Sequence, residues 1–253
     1  MLHIIYRTCG GENDREQHKR SRKRQEDGQL PPFVRTPWFS KPIYFASWAR
    51  DLDDDVRVTV VYDGDDTALL EYITGRWVAR HPHRFVVHET RVRDNRRSLL
   101  ECYRIADADT QSDAFYFLED DYLHRDGWLR VLREGLASLP ADSVLTLYDH
   151  PDRYRRSDDM TRGQESLLLS KSAHWRTAES TTCTCAMTSA VWRRVGSTFA
   201  AGGIRDRETY RTLLASNVRL WQPVPGYSTH DHVKYLSPLV DWRAVSERLR
   251  DGL

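Results

Sequence analysis

The sequence of 253 residues lacks several features that would assign the protein to a common class. No segment approaches the roughly 20 consecutive apolar residues of a membrane-spanning helix, and the apolar run after Met1 is too short for a secretory signal. The four cysteines, at positions 9, 102, 183 and 185, lack CxxC spacing, which argues against a zinc quartet and favours reduced thiols. These absences predict a cytoplasmic protein without a transmembrane segment.

A large net charge is also missing, because 38 Lys and Arg residues are matched by 37 Asp and Glu residues. The formal charge of +1 argues against a protein whose whole surface binds nucleic acid. One basic run, residues 19–24, lies inside a highly polar stretch at 10–32, where interleaved acids weaken the field that phosphate binding needs. We predict a solvated loop there and no nucleic-acid partner, with a nucleic-acid-binding arm as the alternative.

The sequence does contain an alternation of apolar runs and helical patterns. Runs at 2–6, 56–62, 85–88 and 114–118 predict strands, and helical spacing or caps at 40–51, 67–79 and 95–106 predict helices between them. That βαβαβαβ order is typical of an α/β fold with a mostly parallel sheet flanked by helices. Since α/β domains commonly reach this length, we expect a single domain.

The second half of the sequence is less regular. Asp126 is a candidate N-cap for the helix that follows it, and a long polar loop of the kind that often serves a site is expected at 148–164. Further strands are predicted at 143–147, 166–170, 181–187 and 218–223, and further helices at 189–195 and 207–216.

Three consecutive acids, Glu119, Asp120 and Asp121, follow the predicted strand at 114–118. The carboxyl ends of strands are where open α/β sheets bind their ligands. Carboxylates this close repel one another unless a cation neutralises them, and one or two carboxylates with a substrate's phosphates are typical of Mg²⁺ or Mn²⁺ sites. A solvated turn is the alternative, although large apolar residues follow directly at 122 and 123. The triplet therefore predicts a metal-bound phosphate ligand.

The acidic triplet is the first of three short motifs. The second is Gly-Gly-Ile-Arg-Asp at 202–206, directly before a predicted helix, and the third is Ser-Thr-His at 228–230. In order and spacing these motifs resemble the family-2 glycosyltransferases, which have the GT-A fold and use nucleotide sugars. The sequence departs from that family's pattern at Arg205, where an acid is common, and in beginning the first motif with Glu119.

The resemblance implies one GT-A domain with a nucleotide-sugar-binding half at 1–125 and an acceptor-binding half at 126–253. It implies transfer of a sugar from a nucleoside-diphosphate sugar to a hydroxyl group of a small molecule, glycan or peptide, with inversion at the anomeric carbon. Glu119, Asp121 and His230 would then hold Mn²⁺ or Mg²⁺, which acts as a Lewis acid on the leaving diphosphate. A surface or core role is the alternative for His230.

The same resemblance makes Asp206 the general base that takes the proton of the acceptor hydroxyl. Its place before a helix also suits plain N-capping, and the two roles are compatible. Trp175, Arg176 and Thr182 are candidate acceptor contacts in the second half, because an exposed Trp commonly packs against a substrate. A core position is the alternative for Trp175.

Other polar residues fall at the ends of the predicted strands or at the start of a helix, on the same edge of the expected sheet. Asp63, for example, ends the second strand, where a carboxylate can bind a base or a ribose. The candidate donor contacts are Arg7, Thr8, Asp63, Asn95, Ser98 and Asp120. Capping or turn roles are the alternative for each of them.

Two other functions stay open. A nucleotidyltransferase shares the sheet and the metal-carboxylate chemistry, but it carries a Gly-rich basic loop after the first strand, of which Gly10 and Gly11 form a poor version. A noncatalytic binder of nucleotide sugars or nucleic acid is the second alternative. A homodimer is compatible with the sequence.

Overall fold

The computed structural model of the protein describes residues 1–10, 34–154, 166–182 and 184–252. Most of the predicted loop at 10–32, and the part of the loop at 148–164 beyond residue 154, lie outside these described residues. The described strands are β1 (Leu2–Thr8), β2 (Val56–Tyr62), β3 (Phe85–Glu89), β4 (Ala114–Glu119), β5 (Tyr122–His124), β6 (Ser143–Leu145), β7 (Leu167–Leu169), β8 (His174–Ala178), β9 (Cys185–Thr188), β10 (Arg219–Val224) and β11 (Ser228–His230). The described α-helices are α1 (Lys41–Ala49), α2 (Thr67–Ile73), α3 (Asn95–Ala108), α4 (Trp128–Ser138), α5 (Ser189–Gly202), α6 (Asp206–Ala215) and α7 (Trp242–Asp251).

The first four strands confirm the predicted parallel arrangement. β1 lies between β2 and β4 and is parallel to both, and β3 extends the sheet beyond β2. Ile4 packs into one core cluster with residues of α1 and α2, and Ile5 packs into another with residues of α3 and α5. Because helices cover both faces, these strands are continuous apolar runs rather than alternating ones.

The rest of the large sheet is mixed. β9 runs antiparallel between β4 and β6, β10 lies parallel to β6, and β8 and β7 complete the edge in antiparallel pairing. The strand order of the nine-stranded sheet is β3-β2-β1-β4-β9-β6-β10-β8-β7. The sequence does not predict β8, whose residues, His-Trp-Arg-Thr-Ala, contain no apolar run; neighbouring strands on both sides stabilise it instead.

Two helix starts differ from their predictions. α4 begins after Gly127, whose φ of 80° places it in the left-handed region, and Asp126 pairs with Arg50 instead of capping the helix. α6 begins at Asp206 itself, with Arg205 at the N-cap position and no side-chain cap. The carboxylate of Asp206 therefore belongs to the first helical turn, where the positive end of the helix dipole stabilises it.

The last helix, α7, is not predicted from the sequence. Its Trp242, Val245 and Leu249 pack against Tyr44 of α1 and Leu123 of β5 in a third apolar cluster. In the described ranges, no helix combines the length and the apolar character needed to cross a bilayer.

A small second sheet joins two of the sequence motifs. β5 begins directly after the acidic triplet and pairs antiparallel with β11, so that His230 lies opposite Tyr122. The backbone N–H of Asp231 donates to the carbonyl oxygen of Asp121 at 2.8 Å. This pairing brings the end of the third motif against the end of the first.

Candidate active site

A cleft of about 130 Å³ opens where the carboxyl ends of the parallel strands β1 and β4 lie side by side. It contains all of the predicted donor and metal residues except Asp63 and His230. The residues that line it are Arg7, Thr8, Cys9, Arg35, Asn95, Ser98, Glu119, Asp120 and Asp121. Parallel pairing of β1 with β4 explains why Arg7 and Thr8 meet the acids, although they are distant from them in sequence.

Each acid of the triplet has its own basic partner within ion-pair distance. Glu119 pairs with Arg7, Asp120 with Lys41 at 2.9 Å between Oδ2 and Nζ, and Asp121 with Arg35 at 3.3 Å between Oδ2 and Nη1. Between 10% and 22% of each of these six side chains is exposed. The negative charge is thus balanced by protein cations in pairs that a ligand can still reach.

Asp121 also contacts His230, whose Nε2 lies 3.2 Å from its Oδ2. Burial opposes ionisation of Asp121, but the charges and hydrogen bonds of His230 and Arg35 outweigh it and hold the pKa of Asp121 below its usual value. Burial also opposes protonation of His230, yet the carboxylates of Asp121 and Glu119 raise the pKa of His230 overall. Asp121 and His230, each with 17% of its side chain exposed, therefore form a partly buried pair stabilised by charge.

Glu119 does not complete the predicted set of three metal ligands. Burial raises the pKa of Glu119, and its carboxylate accepts a hydrogen bond from Arg7 rather than turning to His230. In the part of the chain that the structure describes, no three or more His, Cys, Asp and Glu side chains are grouped as a metal site. Asp121 and His230 are the two members of the predicted set that lie together.

Arg7 connects the acidic triplet to the start of α3. Its guanidinium donates to the carbonyl oxygen of Asn95 at 2.9 Å and to the Oγ of Ser98 at 3.2 Å, and also to the side chain of Asn95. Asp94 caps the helix, accepting a hydrogen bond from the backbone N–H of Arg97 at 2.8 Å. Asn95 and Ser98 are thus not the caps of α3, and Arg7 holds them at the cleft.

Thr8 and Asp120 lie at the ends of neighbouring strands and are joined by a hydrogen bond. The Thr8 hydroxyl donates to Asp120 Oδ2 at 2.8 Å, and the backbone N–H of Cys9 donates to the same oxygen at 3.3 Å. Asp63 is 1% exposed and accepts a hydrogen bond from the backbone N–H of Arg93 at 2.9 Å. It does not line the cleft, so its contact with a base or ribose stays a prediction.

A second cavity, of about 150 Å³, contains the predicted base Asp206. Its lining residues are His150, Asp152, Arg153, Ser180, Thr181, Thr182, Asp206 and Arg207. The hydroxyl of Thr182 is hydrogen-bonded to that of Tyr122, which directly follows the acidic triplet. The predicted base and one predicted acceptor contact therefore share a cavity, and that contact is hydrogen-bonded to the residue directly after the acidic triplet.

The prediction of an acceptor contact at Trp175 is contradicted by its burial, whereas the contact at Arg176, whose side chain is 14% exposed, stays a prediction. Trp175 has no exposed surface, and its indole N–H donates to Ser170 Oγ at 3.1 Å, so its ring cannot stack on a bound sugar. Arg176 pairs with Asp149 at 2.7 Å and lies over the ring of Tyr154, with 4.5 Å between the guanidinium carbon and the ring centroid. The ring of Trp175 lies against Gly135 of α4 within the core cluster, which leaves no room for a bound sugar.

Several residues in or beside the two cavities have no predicted role. Lys41 is recognisable in the sequence only as the start of a helix, and Arg35 follows the polar stretch without any local pattern. His150 and Arg153 fall in the loop expected at 148–164, and the expectation that this loop serves a site is the one sequence signal that indicates them.

Comparison with known proteins identifies the type of fold. No protein-family model matches the chain, and no curated protein matches it by sequence. Among solved structures, the chain is similar to GalNAc-T7 crystallised with UDP, GalNAc and Mn²⁺, with a TM-score of 0.54 and 9% identity over 90% of this chain and 42% of that chain. The chain thus spans less than half the length of that protein. The likeness shows that the fold is the predicted GT-A fold, the α/β fold of nucleotide-sugar glycosyltransferases.

Two further structures align at lower TM-scores. A mannosyltransferase from Pyrobaculum calidifontis, solved with GDP-Man and Mn²⁺, gives a TM-score of 0.48 and 14% identity over 87% of this chain and 53% of that chain. A putative glucose-1-phosphate thymidylyltransferase from Bacillus anthracis gives a TM-score of 0.49 and 16% identity over 99% of this chain and 96% of that chain.

Proposed function

We propose that the protein transfers a sugar from a nucleoside-diphosphate sugar to a hydroxyl acceptor. The observation that carries this proposal is the pairing of β5 with β11, which sets His230 3.2 Å from Asp121, beside a cleft lined by both acids and arginines. The hydrogen bond between Tyr122 and Thr182 links that cleft to the cavity of Asp206. A donor in the cleft and an acceptor in the cavity would meet beside Tyr122.

Asp121 and His230 would hold a divalent cation. A carboxylate oxygen and an imidazole nitrogen suit Mn²⁺, and one or two protein ligands completed by phosphates and water are typical of Mg²⁺ sites in phosphate-binding proteins. The bound ion would stabilise negative charge on the leaving diphosphate as a Lewis acid. Two protein ligands suffice for such a site, so the pairing of Glu119 with Arg7 is compatible with it.

The donor would lie along the edge formed by β1, β2 and β4. Arg7 already presents its guanidinium between Glu119 and the start of α3, where Asn95 and Ser98 add polar groups. Phosphate oxygens are the natural partners of such a group. Residues 1–125 would supply most of this donor site, and His230 would reach it from the acceptor half at 126–253.

In the proposed transfer step, Asp206 takes the proton of the acceptor hydroxyl. The acceptor oxygen would attack the anomeric carbon while its proton passes to the Asp206 carboxylate. The bond between the anomeric carbon and the diphosphate oxygen breaks, and its electron pair leaves with the nucleoside diphosphate. Attack from the face opposite the leaving group inverts the anomeric configuration. Thr182 would orient the acceptor within the same cavity.

The proposal is tested with a panel of nucleotide sugars, with and without Mn²⁺. The expected result is a rise in the melting temperature with one donor class, because a ligand that binds only the folded state stabilises it, together with slow release of nucleoside diphosphate. Formation of pyrophosphate from a nucleoside triphosphate and a sugar 1-phosphate would instead identify a nucleotidyltransferase. Binding of a nucleotide sugar without any turnover, across a panel of glycan and small-molecule acceptors, would indicate a noncatalytic binder.

A further inference from the structure

Arg35 lies beside Asp121 in a short segment, and the residues on either side of it are both hydrogen-bonded to the turn after β11. The carbonyl oxygen of Val34 accepts a hydrogen bond from the backbone N–H of Val233 at 3.1 Å. The hydroxyl of Thr36 donates to the carboxylate of Asp231. Residues 34–36 are therefore held against the turn that follows β11, and the side chain between these two anchors is directed to the acids.

The guanidinium of Arg35 is shared between two carboxylates. Its Nη1 lies 3.3 Å from Asp121 Oδ2 and 3.5 Å from Asp231 Oδ2, and its guanidinium carbon lies 4.2 Å from the ring centroid of Phe39. Asp121 is the carboxylate that also contacts His230. Arg35 thus occupies one side of the pair that would hold a divalent cation.

The burial and hydrogen bonds of Asp231 favour retention of Arg35 beside it. It has no exposed surface, and its Oδ1 accepts hydrogen bonds from Thr36 and from the hydroxyl of Tyr44, the latter at 2.7 Å. Its Oδ2 has no hydrogen-bond partner and faces Arg35. A buried carboxylate needs a compensating charge, so Asp231 would retain Arg35 even when the contact with Asp121 is lost.

Arg7 and Lys41, the described cations that pair with the other two acids of the triplet, do not have this arrangement. Arg7 is bound to Glu119 and also to Asn95 and Ser98, and Lys41 pairs with Asp120 and donates to the carbonyl oxygen of Cys9. Neither of their carboxylates contacts His230 in the described structure. Arg35 is therefore the cation that a metal ion at Asp121 would displace.

We infer that Arg35 is an exchangeable cation, which pairs with Asp121 in the free protein and, while still held by Asp231, turns its guanidinium to the donor diphosphate when a divalent ion takes its place at Asp121. This inference rests on the proposed donor site and deepens it. Removing the positive charge of Arg35 leaves Asp121 free of a competing cation, so a divalent ion should bind the free protein more tightly. The diphosphate would lose a charged partner in the same variant. The affinity for the metal ion should therefore rise while the affinity for the nucleotide falls.

The test is a calorimetric titration of Mn²⁺ into the protein without nucleotide, followed by titration of UDP and of GDP at saturating Mn²⁺. For Arg35→Gln we expect Mn²⁺ affinity to rise on the order of tenfold, because the repulsion between the ion and a nearby unit charge is removed and solvent screens it only in part. Affinity for the nucleoside diphosphate should fall on the order of tenfold, since a charge-assisted hydrogen bond is lost.

Two variants control this experiment. Arg35→Lys keeps a cation near Asp121 and should restore the weak Mn²⁺ binding of the unmodified protein. Arg130→Gln removes an arginine that is 57% exposed on α4, outside the cleft, and should change neither affinity. Melting curves of all four proteins show that each is folded.

Equal Mn²⁺ affinity in the unmodified protein and in Arg35→Gln would overturn the exchange. A nucleoside diphosphate that binds both proteins equally at saturating Mn²⁺ would overturn the transfer of Arg35 to the diphosphate. If neither UDP nor GDP binds at any Mn²⁺ concentration, the proposed function fails, and the Mn²⁺ comparison still decides whether Arg35 competes for Asp121.

Discussion

The two ends of the parallel strands both carry clustered polar side chains, but they differ in how completely these are enclosed. At the amino end, His3 bonds through Nδ1 to Asp109 at 2.7 Å and through Nε2 to Thr59 at 2.8 Å, and none of the three is more than 8% exposed. At the carboxyl end, the acids of the triplet keep 14% to 19% of their side chains exposed along a cleft. An enclosed network stabilises the fold, whereas paired charges that border a cavity are available to a ligand.

The largest predicted effect is a loss of turnover, and it concerns Asp206 in the second cavity. Asp206→Asn keeps the size of the side chain but removes the proton acceptor, so transfer should fall on the order of 10² to 10⁴-fold. Donor affinity should stay near that of the unmodified protein, and so should the melting temperature. Initial rates with an identified acceptor, together with calorimetry of the nucleoside diphosphate, measure the two quantities.

Glu208→Gln is the matched control, since Glu208 is in the same helical turn and 61% exposed. It should leave turnover unchanged. If Asp206→Asn retains more than about a tenth of the original turnover, Asp206 is not the base, since loss of a general base costs more than that. Asp149 and Glu179 would then be tested in its place.

Substitution of an enclosed residue in the second half of the chain should instead lower stability and leave donor binding unchanged. Trp175→Ala removes a fully buried indole and should lower the free energy of unfolding by about 3–5 kcal/mol. Affinity for the donor should not change in the fraction that remains folded. Urea unfolding provides the measurement, and Leu214→Ala, which truncates a side chain on α6 that is 55% exposed, should have little effect. A loss of acceptor affinity without a loss of stability would restore the sugar-stacking role.

Removal of a charge from the cleft, at the open carboxyl end of the strands, should weaken ligand binding without lowering the stability of the fold. Asp121→Ala should weaken Mn²⁺-dependent binding of the nucleoside diphosphate by roughly 100-fold, because a ligand of the ion is lost. The fold should persist, since Arg35 keeps its pairing with Asp231. Calorimetry with Mn²⁺ and with EDTA gives the comparison, and Asp126→Ala, on an exposed aspartate, is the control. Equal affinity with and without the ion in the unmodified protein would contradict the metal assignment.

The smallest predicted effect concerns the enclosed end and its response to acid. Burial, with the nearby charge of Arg57, lowers the pKa of His3 to about 4, and hydrogen bonding to Asp109 only partly opposes this. A lowered histidine pKa means that the unfolded chain takes up the proton first. Stability should therefore be complete above about pH 6.5 and be lost as the pH falls towards 4, by roughly 2 kcal/mol at pH 5 from this residue.

Urea unfolding at several pH values between 7.5 and 5 measures this loss. His3→Gln should flatten the pH dependence, and His83→Gln, on an exposed histidine, should not. Asp109 stays ionised across this window, because hydrogen bonds to it outweigh its burial and lower its pKa to about 2. An identical slope in His3→Gln would assign the acid sensitivity to another group, such as the buried His124, whose pKa is also lowered by burial.

Much of the open end could be predicted because its residues mark the ends of regular elements. Apolar runs identify β1 and β4, and parallel pairing then requires Arg7 and Glu119 to be neighbours. The burial of residues in the second half of the chain could not be predicted in the same way. The polar neighbours of Trp175 in the sequence suggest an exposed binding residue, and only the packing of α4 against β8 encloses its ring. Local sequence does not reveal whether a polar strand lies inside a sheet or at the surface.

The sequence by itself determined the alternation of strands and helices, the parallel half of the sheet, and the acids at its carboxyl edge, since these depend on the periodicity of apolar residues and on where they stop. Tertiary structure alone decided which cation meets which acid, that His230 lies beside Asp121 and Glu119 does not, and that Arg35 is held between Asp121 and Asp231. The physical reason is that ion pairs and strand pairings between distant segments follow from the path of the whole chain, which no local pattern of residues records.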